Sequence, residues 1–264
     1  MKNKAFCDKY GPWALVTGGS SGIGAEFARQ LAAMGLNLLL VARREERLQQ
    51  LVDELTTAYG VEVRLLAQDL ASVDFMAHVK MATAELEIGL LVNAAGFAIT
   101  GALLDNPIKD EQQLLDVNCR APLLLSHHFG NKMRERKRGG IIFLASIVAF
   151  SATPQWSHYA ASKAYNLLLA EGMHSELKGD GVDILALSPG PTVTEFQQVA
   201  GIRDFMVMSA EEVVASAIRA LGHRRLLIPG WLNRYNNFWL RFFPRRLNTW
   251  IFGAITERVR LKSK

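Results

Sequence analysis

The sequence predicts one doubly wound α/β domain, a seven-stranded parallel sheet with helices on both faces, followed by a short basic extension. Three observations predict it. Short apolar runs alternate with amphipathic segments along the first 230 residues. The apolar runs lack the polar-out alternation of half-exposed strands, as strands covered on both faces do. A glycine-rich turn joins the first run to the first amphipathic segment, where an open α/β sheet places its ligand-binding loop. A length of 264 residues, half of them hydrophobic and 21% charged, suits a single large domain. It excludes a disordered or collagen-like chain.

Strands are predicted over Trp13–Thr17, Leu36–Ala42, Val61–Gln68, Leu90–Ala94, Gly140–Ser146, Val182–Ser188 and Arg225–Pro229. Between them the amphipathic segments are Ile23–Met34, Arg44–Tyr59, Ser72–Leu86, Glu111–Lys137, Ser157–Leu177 and Ser209–Leu221. The same succession could close into a (β/α)₈ barrel; the glycines favour the open sheet. The long apolar stretch Ile88–Leu104 holds Asn93 and three glycines. It falls short of the roughly 20 residues of a spanning helix and reads as a buried strand with its loop. Cys7 and Cys119 cannot make a disulfide framework or a four-cysteine zinc site. The histidines show no metal-ligand spacing, so no metal is expected. The first residues lack the apolar run of a cleaved signal, and the expected location is cytoplasmic.

Thr17-Gly18-Gly19-Ser20-Ser21-Gly22-Ile23-Gly24 ends the first strand and opens the first helix. Glycines 18, 22 and 24 leave bare backbone where a pyrophosphate must reach main-chain N–H groups, and the helix N-terminus adds partial positive charge. With this loop the chain begins to resemble the short-chain dehydrogenase/reductase family, and later motifs come in family order. Asn93-Ala94-Ala95-Gly96 ends the fourth strand, Asn118 lies in the following helix, and Ser146 ends the fifth strand. Tyr159-Ala160-Ala161-Ser162-Lys163 then gives Y-x-x-x-K, and Pro189-Gly190-Pro191-Thr192-Val193-Thr194 follows the sixth strand. The resemblance covers residues 12 to about 230. It implies a Rossmann-type domain over 1–230 that binds a nicotinamide dinucleotide through these loops.

In such enzymes an acidic residue after the second strand selects NAD, because it bonds the ribose 2′-OH and repels a 2′-phosphate. Here Ala42 stands at that place, followed by Arg43 and Arg44. A guanidinium binds phosphate in bidentate fashion. The alternative, a solvated helix start, sets cations against the macrodipole. NADP(H) is therefore the expected cofactor. Asp69-Leu70 matches the pair that resembling enzymes place beside the adenine.

Carbonyl reduction needs a proton for oxygen as well as a hydride for carbon. A phenol with a pKa of about 10 is a poor donor unaided. Lys163, one helical turn beyond Tyr159 on the same face, would favour the phenolate. Ser146 would bond the substrate oxygen and the phenol. By resemblance, Asn118 holds a water that links Lys163 to solvent, and Lys163 also contacts the nicotinamide ribose. Cys119 is expected to be a small packing residue, since nothing is placed to activate it.

By resemblance, the substrate is bounded by the loops after strands four, five and six. Those loops offer Phe97, Ile99, Val148, Phe150, Trp156, Phe196, Phe205, Met206 and Met208. This apolar, aromatic set points to a hydrophobic carbonyl or secondary alcohol. The reading is thus an NADP(H)-dependent oxidoreductase. Its rival is a non-catalytic NADP(H)-sensing protein on the same scaffold, which has no need for a proton donor beside the nicotinamide. A homo-oligomer is implied by resemblance alone, through Glu111–Lys137 and Ser157–Leu177.

The net charge of +5 is uneven. Residues 231–264 carry eight basic side chains and one acidic, interleaved with eight aromatics. Pro244 splits this extension into helical candidates at 232–242 and 245–260. Two readings stand level: a peripheral contact with the inner face of a membrane, and packing on the body or a neighbouring subunit. Nucleic acid is not the expected partner, because no recognition module accompanies the charge.

Overall fold

A computed structural model describes residues 3–192, 208–240 and 242–262. Seven strands form one sheet: β1 (Trp13–Thr17), β2 (Asn37–Ala42), β3 (Val63–Ala67), β4 (Ile88–Asn93), β5 (Gly139–Leu144), β6 (Val182–Leu187) and β7 (Leu226–Leu227). All neighbours are parallel, in the order β3-β2-β1-β4-β5-β6-β7. The chain winds outward from β1 to β3 and then returns to β4 on the other side of β1. That reversal opens a crevice beyond the carboxyl ends of β1 and β4.

The unbroken apolar strands serve two cores. Ala14, Val16, Leu38, Leu40, Leu90, Val92 and Ile142 point to one face. There they meet α2 (Gly22–Ala33), α3 (Glu45–Tyr59) and α8 (Ala210–Ala220) through Phe27, Leu31, Leu48, Leu55 and Val213. Leu15, Leu39, Val41, Leu91, Ile141 and Phe143 point to the other. They pack on α4 (Phe75–Ala82), α6 (Ala121–Arg136) and α7 (Ser157–Leu177) through Phe75, Val79, Phe129, Met133 and Leu167. Period two thus holds in three dimensions, but both phases are apolar.

Several boundaries differ from the sequence reading. The strand expected at Arg225–Pro229 shrinks to two residues, since an edge strand pairs on one side only and Pro229 has no N–H to give. The long helix expected over Glu111–Lys137 is α5 (Ile108–Leu115), a π-turn at Asp116–Arg120, and α6. An extra helix, α1 (Lys4–Tyr10), was not expected; Asn3 caps it by accepting from Phe6 N at 3.2 Å, and Tyr10 inserts into the first core.

The described residues of the extension do not trail away from the body. After Gly230 come α9 (Trp231–Leu240) and α10 (Arg245–Lys262). The first touches the 3₁₀ turn Ile147–Phe150 beyond β5. In the second, Thr256 donates to the Pro154 carbonyl at 2.9 Å.

The β1–α2 turn leaves no room for a side chain. A Cβ on Gly24 would lie 2.3 Å from the Gly18 carbonyl oxygen, and one on Gly18 (φ 69°) 2.8 Å from Ala95 Cα. Gly24→Ala should therefore lower stability by about 1–3 kcal/mol, the usual cost of overpacking. Urea unfolding checks this; an unchanged midpoint would show that the turn can give way.

Candidate active site

The carboxyl ends of β1, β2, β4, β5 and β6 surround one cleft of about 560 Å³. At one end lies the glycine turn. Gly18 and Gly22 (φ 55°) hold left-handed backbone, and Ser21, Gly22 and Ile23 present the N-terminus of α2 to the cleft. Arg44, just before α3, lays its guanidinium on the turn: Nη2 donates to Ser21 Oγ at 2.7 Å and to Ser20 Oγ at 3.2 Å. Arg43 lines the same rim and is exposed. Two hydroxyls and two guanidiniums therefore meet at one corner, a donor set suited to a phosphate. Asp69 and Leu70 form the opposite wall. They are held there by Arg120, whose Nη2 donates to the carbonyls of Ala71 and Ser72 at 2.9 and 3.0 Å.

At the other end, Ser146 caps the 3₁₀ turn after β5, accepting from Val148 N at 3.3 Å. Its hydroxyl is also bonded to that of Tyr159. Tyr159 stands in the first turn of α7, where the helix dipole favours negative charge. It is 6% exposed, and burial pushes its phenol above the usual range, with the Ser146 bond opposing. Lys163 is 4% exposed; burial pushes its ammonium down to about 8. Its Nζ donates to the Leu144 carbonyl at 2.8 Å and lies 5.7 Å from the centre of the Tyr159 ring.

Some expected site residues sit behind the cleft and fasten it. Thr17 Oγ1 accepts from the N–H groups of Ala94 and Ala95, both at 3.1 Å, and donates to the Val92 carbonyl at 3.3 Å. That hydroxyl is consumed in joining β1 to the loop after β4. Asn93 turns away and donates to Ser126 Oγ at 3.0 Å. Asn118 is 0% exposed in the π-turn. Its side-chain amide brackets Phe97, accepting from Phe97 N at 3.1 Å and donating to Phe97 O at 3.0 Å, and it also donates to Ser162 Oγ at 3.0 Å. Gly96 lies in the resulting gap: a Cβ there would be 3.1 Å from Asn118 Oδ1 and 3.3 Å from Lys163 Nζ.

Among the apolar candidates, Phe97, Val148 and Trp156 line the cleft, the last with its ring edge-on to Tyr159. Phe150 is instead packed against the core beneath α7, because the 3₁₀ turn rotates it away from Val148. Ala94, Pro189, Gly190 and Thr192 lie in the lining. Val193, Thr194, Phe196, Phe205 and Met206 fall outside the described residues. Cys119 is buried, and that burial pushes its thiol up to about 11, so it is inert at neutral pH.

The fold is shared. Residues 12–203 match the family described as short chain dehydrogenase. The chain belongs to the short-chain dehydrogenase/reductase family. As a family member it is an oxidoreductase on a Rossmann-like scaffold. A 7β-hydroxysteroid dehydrogenase of Clostridium sardiniense is 32% identical over 87% of this chain and 89% of its own length. A solved 7β-hydroxysteroid dehydrogenase superposes with a TM-score of 0.89 at 27% identity, covering 94% of this chain and 98% of that one. A short-chain dehydrogenase from Sphingobium yanoikuyae, solved with NADPH, gives a TM-score of 0.79 at 33% identity over 86% of this chain and 92% of its own.

Several residues that shape the site carried no signal of their own. Ser162 and Asn166 hold Asn118 from α7, and Arg120 holds the Asp69 wall. Each acts across 40 or more positions of sequence, where no local pattern speaks.

Lys163 has a consequence for stability. Between about pH 8 and its ordinary 10.5, the folded protein holds fewer protons at this site than the unfolded chain. This group therefore makes the cofactor-free protein more stable as pH rises through that window, and costs stability below it. Lys163→Met should raise the unfolding free energy by about 1–3 kcal/mol near pH 7, with the gain shrinking as pH climbs from about 8. Parallel urea titrations test it; a variant less stable at neutral pH would contradict the assignment.

Proposed function

We propose that the protein is an NADP(H)-dependent dehydrogenase/reductase that interconverts a bulky hydrophobic ketone and the corresponding secondary alcohol. One observation carries the reading: Ser146, Tyr159 and Lys163 converge at one end of a cleft whose other end is a glycine cradle with Arg44 laid across it. The cradle fits a dinucleotide, since Gly18, Gly22 and Gly24 line the cleft with bare backbone at the N-terminus of α2. Arg43, Arg44 and the Ser20 and Ser21 hydroxyls would hold the 2′-phosphate. Ser20–Gly24 would meet the pyrophosphate, Asp69 and Leu70 the adenine, and Ala94, Gly96, Pro189, Gly190 and Thr192 the nicotinamide half. The NADPH-bound relative supports the choice of cofactor.

A nicotinamide bound there would supply or accept the hydride at the carbonyl carbon. The chain supplies the rest. Tyr159 stays protonated in the free enzyme because burial disfavours its phenolate, so it is ready to give its proton to the ketone oxygen. The Lys163 ammonium, the α7 N-terminus and the Ser146 hydroxyl all oppose the negative charge left on the phenol. In the alcohol-oxidising direction the same groups favour the phenolate that takes the proton. Asn118 serves as a positioning residue for Phe97 and the Gly96 gap. Its main-chain carbonyl already accepts the Asn166 amide at 2.8 Å, which leaves one lone pair for the water that the family resemblance implies.

Phe97, Val148 and Trp156 support a large alicyclic or aromatic substrate, as do relatives named for hydroxysteroids. A sensor that only bound the coenzyme would gain nothing from burying a lysine beside a phenol. The outer faces of α6 and α7 expose Leu123, Leu124, Tyr165 and Leu168, which supports association of subunits across these helices.

Tyr159→Phe should lower kcat by about 10²–10⁴-fold while the Kd for NADPH, read by fluorescence titration, stays within a few-fold. Near-normal turnover would remove the phenol from the mechanism. Arg44→Ala should raise the KM for NADPH by about 10–100-fold, the worth of charge-assisted bonds, and leave that for NADH unchanged. Equal losses with both coenzymes, or a native preference for NADH, would overturn the 2′-phosphate site.

A further inference from the structure

We propose that the outer face of α9 and the start of α10 docks on the surface of an anionic lipid bilayer. The helix pair is built inside out. Trp231, Tyr235, Phe238 and Trp239 follow the i, i+4, i+7, i+8 pattern of one helical stripe, Phe242 stands in the turn after it, and every one is exposed. Trp231 is 71% exposed and Phe242 67%. The rings form one continuous apolar surface: Tyr235–Trp239, Phe238–Trp239, Phe238–Phe242 and Trp239–Phe242 have centroids 5.2 to 6.0 Å apart. Phe243, Leu247 and Trp250, the last two in α10, are exposed as well.

The face turned to the body is polar instead. Asn233 packs on Gly190, Asn237 and Asn248 are buried, and Thr256 is bonded to Pro154. Packing of these side chains and one hydrogen bond seat the element on the body, and its aromatic side is left in water, where a patch of this kind marks a docking site.

Charge selects the occupant. Arg234, Arg245 and Arg246 are exposed around the rings, and residues 231–264 hold eight basic side chains against one acidic. A second copy meeting this patch about a two-fold axis would set arginine against arginine. Anionic headgroups answer the charge, and Trp, Tyr and Phe suit the headgroup boundary. No helix among the described residues is long and apolar enough to cross a membrane, and the stripe needs only a surface. The same helices rest on Ile147–Phe150 and Pro154, the segment between Ser146 and Tyr159. Docking would thus bring the cleft to the bilayer. Resting on the reading of the site given above, the substrate would then be a ketone or alcohol dissolved in lipid.

The test is co-sedimentation of the full chain with phosphatidylcholine vesicles, with and without phosphatidylglycerol. Light scattering reports mass, and NADPH oxidation is followed with a water-miscible cyclic ketone. The protein should pellet only with anionic vesicles and release as salt rises and the Debye length contracts. Trp239→Ser/Phe242→Ser should abolish pelleting, and Arg245→Glu or Arg246→Glu should each weaken it by at least about five-fold. Activity on the miscible ketone should be unchanged in all three. Failure to pellet overturns the proposal, as does pelleting indifferent to lipid charge. So does a fall in mass on Trp239→Ser/Phe242→Ser without vesicle binding, which would assign the face to a second copy. Absence of NADPH oxidation by the wild type without vesicles would instead strike the enzymatic reading and leave docking intact.

Discussion

A buried ammonium governs this molecule. Lys163 is withdrawn from water beside a buried phenol, with the Leu144 carbonyl as its hydrogen-bond partner. Charge in such a place is costly unless something answers it. Burial already draws its proton affinity down towards neutrality, so the side chain is poised between two states. The surroundings are arranged to keep it there. β5 ends in the carbonyl that receives it, α7 sets its first turn toward the cleft, and Gly96 withholds a side chain that would crowd it.

Much of the remaining polar structure fastens loops to keep that arrangement dry and fixed. Thr17 ties β1 to the loop after β4, Asn118 brackets Phe97 from the π-turn, and Arg120 holds the wall at Asp69. The π-turn is the local irregularity that makes this workable. Just after it, Pro122 has no N–H to offer the Asn118 carbonyl four residues back, so Asn166 bonds that carbonyl from α7. Mutating such groups would disturb the site without touching anything that enters it. The cleft is therefore the end of a sheet, lined by Ser146, Tyr159 and Lys163 and fastened from behind by side chains that do not enter it.

The C-terminal helices add a second organising surface. Most helices bury their apolar stripe, yet α9 buries asparagines and shows its rings. The pair's seat on the body is made by close packing of Asn233 on Gly190 and by the Thr256 hydroxyl, which donates to the Pro154 carbonyl. The seat chosen is the segment between Ser146 and Tyr159, so whatever the aromatic face meets is mechanically next to the cleft.

The amino-acid sequence by itself determined the layered α/β architecture, the glycine cradle and the Ser146, Tyr159 and Lys163 set. Each is written in local spacing: two-sided apolar runs, glycines at a turn, and a four-residue step along one helix face. It also placed the basic aromatic tail but left two readings level, because composition does not say which face of a helix meets protein. Only the tertiary structure shows that one face packs on the body while the rings of the other stay exposed. It alone turned Thr17 and Asn93 from the cleft into its fastenings, sent Phe150 to the core, and laid Arg44 on two serines. The physical reason is range. A turn or a helix step is fixed by neighbours in the chain, whereas the direction of a side chain at a strand's end is fixed by whatever distant segment packs beside it.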